Sequence, residues 1–277
     1  MSDSLRMLIA GLVLLVMAGS AYLWWQERQA PAPLPMVAPN TSAAEPAAPA
    51  EAPVHHAIEA ITPPPEAALP PLTDTGSEVS DALIALLGRQ QVLTFLDVSD
   101  FARRVVATLD NFGRSHAASR LWPVLPAPGR FSVIERDGAT YMADSNMDRY
   151  KAFVGFASTI NTGPAVDLYV RMYPLLQQAY VVLGYPDKYF NNRVVKVIDQ
   201  LLATPELKEP APLKLTEVQG PFEAPRPWVR YEYVDPALET LSAGQKILLR
   251  MGPENARQLK AKLREFRQRV AGNNAMG

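Results

Sequence analysis

The chain has 277 residues with 27 Lys and Arg against 28 Asp and Glu, and a net charge of -1 gives no general attraction to nucleic acid. It contains no cysteine, which excludes disulfides, thiolate nucleophiles, cysteine-ligated zinc and iron–sulfur clusters. Composition divides it into an apolar segment (1–28), a Pro/Ala-rich segment (29–73) and a segment of ordinary globular composition (74–277) that is long enough for one sizeable core.

Residues 7–25 carry no charged side chain and predict a single transmembrane helix. At about 1.5 Å per residue this stretch reaches ~28 Å, close to the ~30 Å hydrocarbon thickness of a bilayer. Arg6 precedes it, and no Lys or Arg occurs between Arg28 and Arg89, so we expect the N-terminus in the cytosol and the rest outside. The alternatives are a signal peptide cleaved near Gly19-Ser20-Ala21 and a buried core helix.

Residues 29–73 predict a disordered, partly extended Pro-rich linker. Repeated proline removes backbone donors, and the segment has too little apolar surface to offset the entropy cost of ordering. His55 and His56 lie in this linker, but two adjacent imidazoles supply only two ligands and no fixed geometry. The sequence therefore predicts no metal and no cofactor here.

Residues 74–277 predict a mainly α (α+β) fold, a multi-helix soluble domain with a small antiparallel β element. Capping residues, glycines and the spacing of apolar residues predict eight helices in this segment. They run from Ser77 or Ser80 to Leu87, from Gln90 to Leu96, from Ser99 to Phe112, from Ser145 to Ile160, from Pro164 to Leu183, from Pro186 to a point shortly before Pro205, from Ser242 to Arg250 and from Gly252 to Val270. Phe131–Glu135 and Ala139–Met142, joined by Asp137-Gly138, predict a hairpin. Leu213–Val218 and Trp228–Val234 alternate as strands do.

Three of these stretches resemble the bacterial family known as domain of unknown function 3014. They are Ala127–Val133, Arg171–Glu206 and Arg230–Ala256, and the resemblance extends over most of residues 77–270. The layout of an N-terminal span followed by a Pro-rich linker is also similar to that family. The resemblance implies a bacterial, Gram-negative envelope setting, and it implies no established activity and no catalytic residue.

The densest polar and aromatic cluster lies at the predicted start of a helix, and it is the candidate ligand-binding site. Free backbone N–H groups there, together with amide and guanidinium side chains, can hold an anion or a glycan. The alternative is that the acidic residue only complements the helix dipole while the aromatic rings pack in the core. The candidate residues are Tyr185, Asp187, Tyr189, Asn191, Asn192 and Arg193, which an enzyme or glycan-binding site would bring together with Glu232 or Tyr233.

No residue set predicts catalysis. His116 is the only histidine of segment 74–277, and it lies in a polar turn without a nucleophile elbow. Lys196 and Asp199 have the spacing of an ordinary i,i+3 contact. The tyrosines recur at helical or strand spacing, which predicts core packing, with an aromatic binding platform as the alternative.

The last helix carries a narrow apolar seam flanked by cations. We expect it to dock on its own domain, and the alternatives are that it lies on an anionic membrane surface or on a partner. The seam consists of Ala256, Leu259, Leu263, Phe266 and Val270.

Together these patterns predict a single-pass inner-membrane protein whose C-terminal domain lies in the periplasm. Its expected role is a binding or assembly module that meets an envelope protein partner, with no nucleic acid bound. The alternative function is a cell-envelope enzyme or glycan-binding domain.

Overall fold

The structure is a computed structural model, and it describes residues 76–216 and 227–271. The predicted membrane anchor (7–25) and Pro-rich linker (29–73) lie outside the described residues. Within those two ranges, no helix has both the length and the apolar character needed to cross a bilayer.

The described chain begins with three helices, α1 (Gly76–Leu87), α2 (Arg89–Phe95) and α3 (Phe101–Phe112). Gly88 separates the first two with φ of 82°, a left-handed conformation that glycine adopts without strain. All three helices were predicted. The inward face of α3 is partly polar, because Thr108 and Asp110 are buried beside Val106.

Four short strands form one antiparallel sheet in the order β1-β2-β3-β4. The strands are β1 (Val133–Arg136), β2 (Ala139–Met142), β3 (Pro212–Leu215) and β4 (Tyr231–Tyr233). The β1–β2 hairpin is confirmed: Asp137 and Gly138 both have positive φ, at 52° and 75°, as a type I′ turn requires. β3 pairs with β2 of this hairpin, and β4 pairs with β3, where Leu213 lies opposite Tyr233, so that the hairpin is extended into a sheet.

Six further helices complete the described part of the chain. They are α4 (Ser145–Thr159), α5 (Thr162–Val182), α6 (Phe190–Leu202), α7 (Pro236–Glu239), α8 (Ala243–Met251) and α9 (Pro253–Val270). Ser242 and Gln245 form a reciprocal capping box at the start of α8. Helix α7 was not predicted, and the Asp235 side chain caps it by accepting a hydrogen bond from the Ala237 N–H.

The predicted start of α6 at Pro186 is wrong, since α6 begins at Phe190. The cause is a side chain from the preceding helix. The Gln177 Oε1 accepts a hydrogen bond from the Phe190 N–H at 2.8 Å, and its Nε2 donates to the Lys188 carbonyl at 2.8 Å. Gln177 thus fixes residues 184–189 as a turn and satisfies a backbone donor at the helix N-terminus.

Helix α9 docks on its own domain, as expected. Val270 is fully buried with Val166 and Val195, while Leu263 and Phe266 pack against the main helical core. Outside the apolar seam, the Arg267 guanidinium forms an ion pair with the Asp199 carboxylate of α6. The last helix therefore closes the helical core.

Candidate functional site

An open cleft lies where α3, the end of α5, the turn 184–189 and the start of α6 meet. Its volume is about 740 Å³. We call it the α3–α6 cleft, and it is lined by Asp110, Arg114, Tyr180, Tyr185, Asp187, Lys188, Tyr189, Asn192, Arg193 and Lys196.

A buried carboxylate organises the floor of the α3–α6 cleft. Asp110 is only 4% exposed. Its Oδ2 lies 2.6 Å from Arg114 Nη2, and its Oδ1 lies 3.1 Å from Arg193 Nε. The Tyr185 hydroxyl accepts a hydrogen bond from Arg114 at 2.6 Å and lies 3.3 Å from Asp110 Oδ2, to which it donates. The attraction of Asp110 raises the pKa of Arg114 above its ordinary value.

Arg193 reaches the floor by crossing the end of α3 at Gly113. Its Nη2 donates a hydrogen bond to the Asp110 carbonyl at 2.5 Å. A Cβ atom at position 113 would lie 2.8 Å from this Nη2, which is closer than real side chains approach. Glycine is therefore required at this position for the guanidinium to lie where it does.

Tyrosine rings form one side of the cleft. Tyr180 is buried, and its ring stacks on that of Tyr185 with centroids 4.5 Å apart and planes 23° apart. Burial raises the pKa of the Tyr180 hydroxyl. The Lys188 Nζ lies 5.3 Å from the Tyr185 ring centroid, within the range of a cation–π contact.

The rim of the cleft is exposed and has an excess of positive charge. Tyr189 is 53% exposed, and Lys188 and Lys196 are exposed as well. The expected contact between Lys196 and Asp199 is wrong, because Asp199 pairs with Arg267 on α9. In total four cations and two carboxylates line the cleft.

The structure brings five of the six predicted ligand-binding residues to this cleft, the exception being Asn191. Asn191 is fully buried, where its Oδ1 accepts from the Tyr169 hydroxyl at 2.9 Å and its Nδ2 donates to the Val270 carbonyl at 2.8 Å. It joins α6 to the end of α9, so its assignment to the site is corrected. The expected convergence with Glu232 or Tyr233 is also wrong, because both lie on β4 and Tyr233 packs in the sheet core.

Sequence reasoning missed several residues of the cleft. Lys196 could have been found, since Tyr189, Asn192 and Lys196 follow the i, i+3, i+7 spacing of one helix face. Asp110 and Arg114 gave no such signal, because they lie more than 70 residues before Tyr185 and meet it only in the folded domain.

The cleft offers no metal-binding geometry. Across residues 76–216 and 227–271, no group of three or more His, Cys, Asp or Glu side chains is placed to hold a metal ion. His116 is exposed and contacts Ser115 at 3.0 Å. The side-chain groups that line the α3–α6 cleft are guanidinium, ammonium, carboxylate, carboxamide and phenol groups.

Comparison with known proteins identifies the family but no activity. A model of the family described as protein of unknown function (DUF3014) matches residues 101–267, more than half of the chain. Neither the curated proteins nor the solved structures contain a match. The matched region includes every residue that lines the α3–α6 cleft. The chain belongs to the DUF3014 family of proteins of unknown function.

Proposed function

We propose that this protein is a membrane-anchored binding module of the bacterial envelope, and that its α3–α6 cleft binds an acidic glycan. The observation that carries this proposal is an open, tyrosine-sided cleft whose cations outnumber its carboxylates four to two. The buried network around Asp110 holds this arrangement in place before any ligand arrives. A site prepared in this way loses little conformational entropy on binding.

Binding, and not a reaction, is the activity that the cleft supports best. A general base needs a group that can accept a proton from a substrate within hydrogen-bond reach. The buried carboxylate of Asp110 is instead occupied by Arg114, Arg193 and the Tyr185 hydroxyl. The other carboxylate of the cleft, that of Asp187, is exposed. The site therefore lacks a buried, available carboxylate for acid–base chemistry among its described lining residues.

A saccharide with carboxylate groups fits the two kinds of side chain at the rim. Tyr189 is 53% exposed, and the C–H face of a pyranose packs against aromatic side chains of this kind. Lys188 and Lys196 lie on either side of Tyr189 in the chain, and ammonium groups form charge-assisted hydrogen bonds with carboxylates. An acidic peptide has the carboxylates but not the flat C–H face of a sugar ring.

The membrane anchor and the periplasmic location are part of the same proposal. They are supported by the uncharged stretch 7–25, by the lack of Lys and Arg between Arg28 and Arg89, and by the Pro/Ala-rich segment 29–73. As a linker, residues 29–73 would give the domain a reach between ~40 and ~140 Å. Release of the intact protein from membranes by mild salt, or protection of its C-terminal part from protease added to spheroplasts, would refute this part.

The ligand is tested by calorimetric titration of the full-length chain, held in nanodiscs of neutral lipid, with an oligogalacturonate. The matched control is the same oligomer with its carboxyls methyl-esterified, which keeps the sugar rings and removes the charge. We expect saturable binding of the acid and at least tenfold weaker binding of the ester, because each charge-assisted hydrogen bond contributes about 1.5–3 kcal/mol. Equal binding of both forms, or tighter binding of oligoglutamate, would overturn the assignment to an acidic glycan.

A further inference from the structure

A second, smaller cavity lies between the sheet, α8, the start of α9 and the loop 203–211. Its volume is about 170 Å³. We call it the Lys260 pocket. Its wall is mostly apolar and includes Phe131, Met142, Met147, Leu213, Tyr233 and Leu248. None of its lining residues borders the α3–α6 cleft.

A buried ammonium group lies at this apolar wall. Lys260 is only 4% exposed, and its Nζ donates a hydrogen bond to the Thr204 carbonyl at 2.5 Å. It forms no ion pair with any residue that the structure describes. Burial lowers the pKa of the Lys260 ammonium, because removal from water disfavours the charged form.

A second cation lines the same pocket. The Arg250 Nη2 donates to the Tyr231 carbonyl at 2.8 Å, and its guanidinium carbon lies 5.9 Å from the Phe131 ring centroid. Its Nε is buried and has no hydrogen-bond partner among the described residues. The Arg250 guanidinium therefore adds a second positive charge to the wall of the pocket.

The acidic residues of the pocket lie at its solvent-exposed edge. Asp144, Glu206 and Glu209 line it and are all exposed, so water screens their charge. Glu206 raises the pKa of Lys260 by attraction, but this effect is smaller than the opposing effect of burial. The buried part of the lining is thus apolar and cationic, while the exposed edge is mixed.

We infer that the Lys260 pocket binds a small monocarboxylate with a compact apolar body. The ligand carboxylate would pair with the Lys260 ammonium, and its body would pack on Phe131, Met142 and Met147. A cavity of about 150 Å³ holds one benzene molecule, so ~170 Å³ suits a ring or a short chain of roughly six carbons. This site is separate from the α3–α6 cleft, and its occupancy does not depend on the function proposed for that cleft.

The test is methionine-methyl NMR of the full-length chain in neutral-lipid nanodiscs, titrated with hexanoate. Met142 and Met147 line the pocket, whereas Met172 is buried in the helical core and serves as an internal control. 1-Hexanol has the same alkyl chain without the charge. The Lys260→Met variant removes the ammonium and keeps an apolar side chain of similar length.

We expect hexanoate to shift the Met142 and Met147 signals in a saturable way and to leave Met172 unchanged. Hexanol should bind at least tenfold more weakly, and so should hexanoate with Lys260→Met. Absence of a saturable shift would overturn the inference, as would equal affinity for hexanoate and hexanol or equal affinity of the variant and the parent chain. If Lys260→Met does not fold, the comparison of hexanoate with hexanol on the parent chain decides the question.

Discussion

The α3–α6 cleft and the Lys260 pocket each contain a buried charge, but the two charges differ in how completely neighbouring groups compensate them. In the cleft, the Asp110 carboxylate is met by two guanidinium groups and a hydroxyl. In the pocket, the Lys260 ammonium is met by a single carbonyl oxygen. A buried charge that is fully compensated holds structure in place, whereas one that is under-compensated is available to a ligand. The predictions below test this contrast, beginning with the largest expected effect.

Among the substitutions below, replacing Asp110 should lower the free energy of unfolding the most. Asp110→Ala leaves the largely buried Arg193 without a counter-charge, and breaking such a pair costs about 3–5 kcal/mol. Since the Arg114 side chain is half exposed, we expect a loss near the lower end, about 3 kcal/mol, in the free energy of unfolding. Urea denaturation measures it.

Asp148→Ala is the matched control for that variant. Asp148 also pairs with a cation, Lys151, but both side chains are well exposed. We expect a change of at most about 0.5 kcal/mol, because exposed ion pairs contribute little. Similar losses in the two variants would show that Asp110 is not the organising group of the cleft.

The tyrosine side of the cleft should depend on Gln177. Its side chain holds Lys188 and Phe190 and accepts a hydrogen bond from the Tyr173 hydroxyl at 3.0 Å. Gln177→Ala removes these bonds and should cost about 1–2 kcal/mol of stability, measured by thermal and urea denaturation. The exposed neighbour Gln178 provides the control, and Gln178→Ala should be close to neutral. A neutral Gln177→Ala would contradict the role of Gln177 in fixing the turn.

The close approach of Arg193 to α3 is tested by Gly113→Ala. The new methyl group must displace the end of the Arg193 side chain, which should cost about 1 kcal/mol through its weakened bond to the Asp110 carbonyl. In contrast, Gly155→Ala lies at an exposed helical position with open space around it and should stabilise by about 0.5–1 kcal/mol. If both substitutions stabilise the fold, the close approach of Arg193 to α3 does not depend on glycine at position 113.

The smallest effect is the pH dependence caused by Lys260. Because its pKa is lower in the folded chain than the unfolded value of 10.5, the unfolded chain binds more protons between those two pKa values. Stability should therefore rise with pH through the folded pKa and stop rising above about 10.5. The stability of the parent chain relative to Lys260→Met should increase between neutral pH and pH ~10. A stability difference that stays constant over this pH range would contradict the proposed effect of Lys260.

Elements set by local chemistry were predictable from sequence. The Asp137-Gly138 turn and the Ser242 helix cap act within a few residues, and both occur where expected. The start of α6 was not predictable, because Gln177 on the preceding helix determines it. The same reason explains why the β1–β2 hairpin and the β3–β4 pair, which are separated by the 70 positions from Met142 to Pro212, were not recognised as one sheet.

The candidate site shows the same difference between features set by neighbouring residues and features set by residues distant in the chain. Residues 185–193 were chosen as the candidate site because they form one dense polar and aromatic cluster in the chain. Asn191 was wrongly included, since sequence does not show that its position on α6 faces Val270 and not solvent. The Lys260 pocket gave no signal in the sequence, because Lys260 has the same spacing as the other cations that flank the seam of α9. Its burial and its hydrogen bond to the Thr204 carbonyl arise only in the folded domain.

The most direct test of the cleft is its affinity for oligogalacturonate in two charge variants, Lys196→Ala at the cleft and Lys260→Met at the pocket. Both remove one ammonium group from the same domain. We predict that Lys196→Ala weakens binding several-fold and that Lys260→Met leaves it unchanged. If Lys196→Ala binds as the parent chain does, or if Lys260→Met loses as much affinity, the glycan does not bind in the α3–α6 cleft.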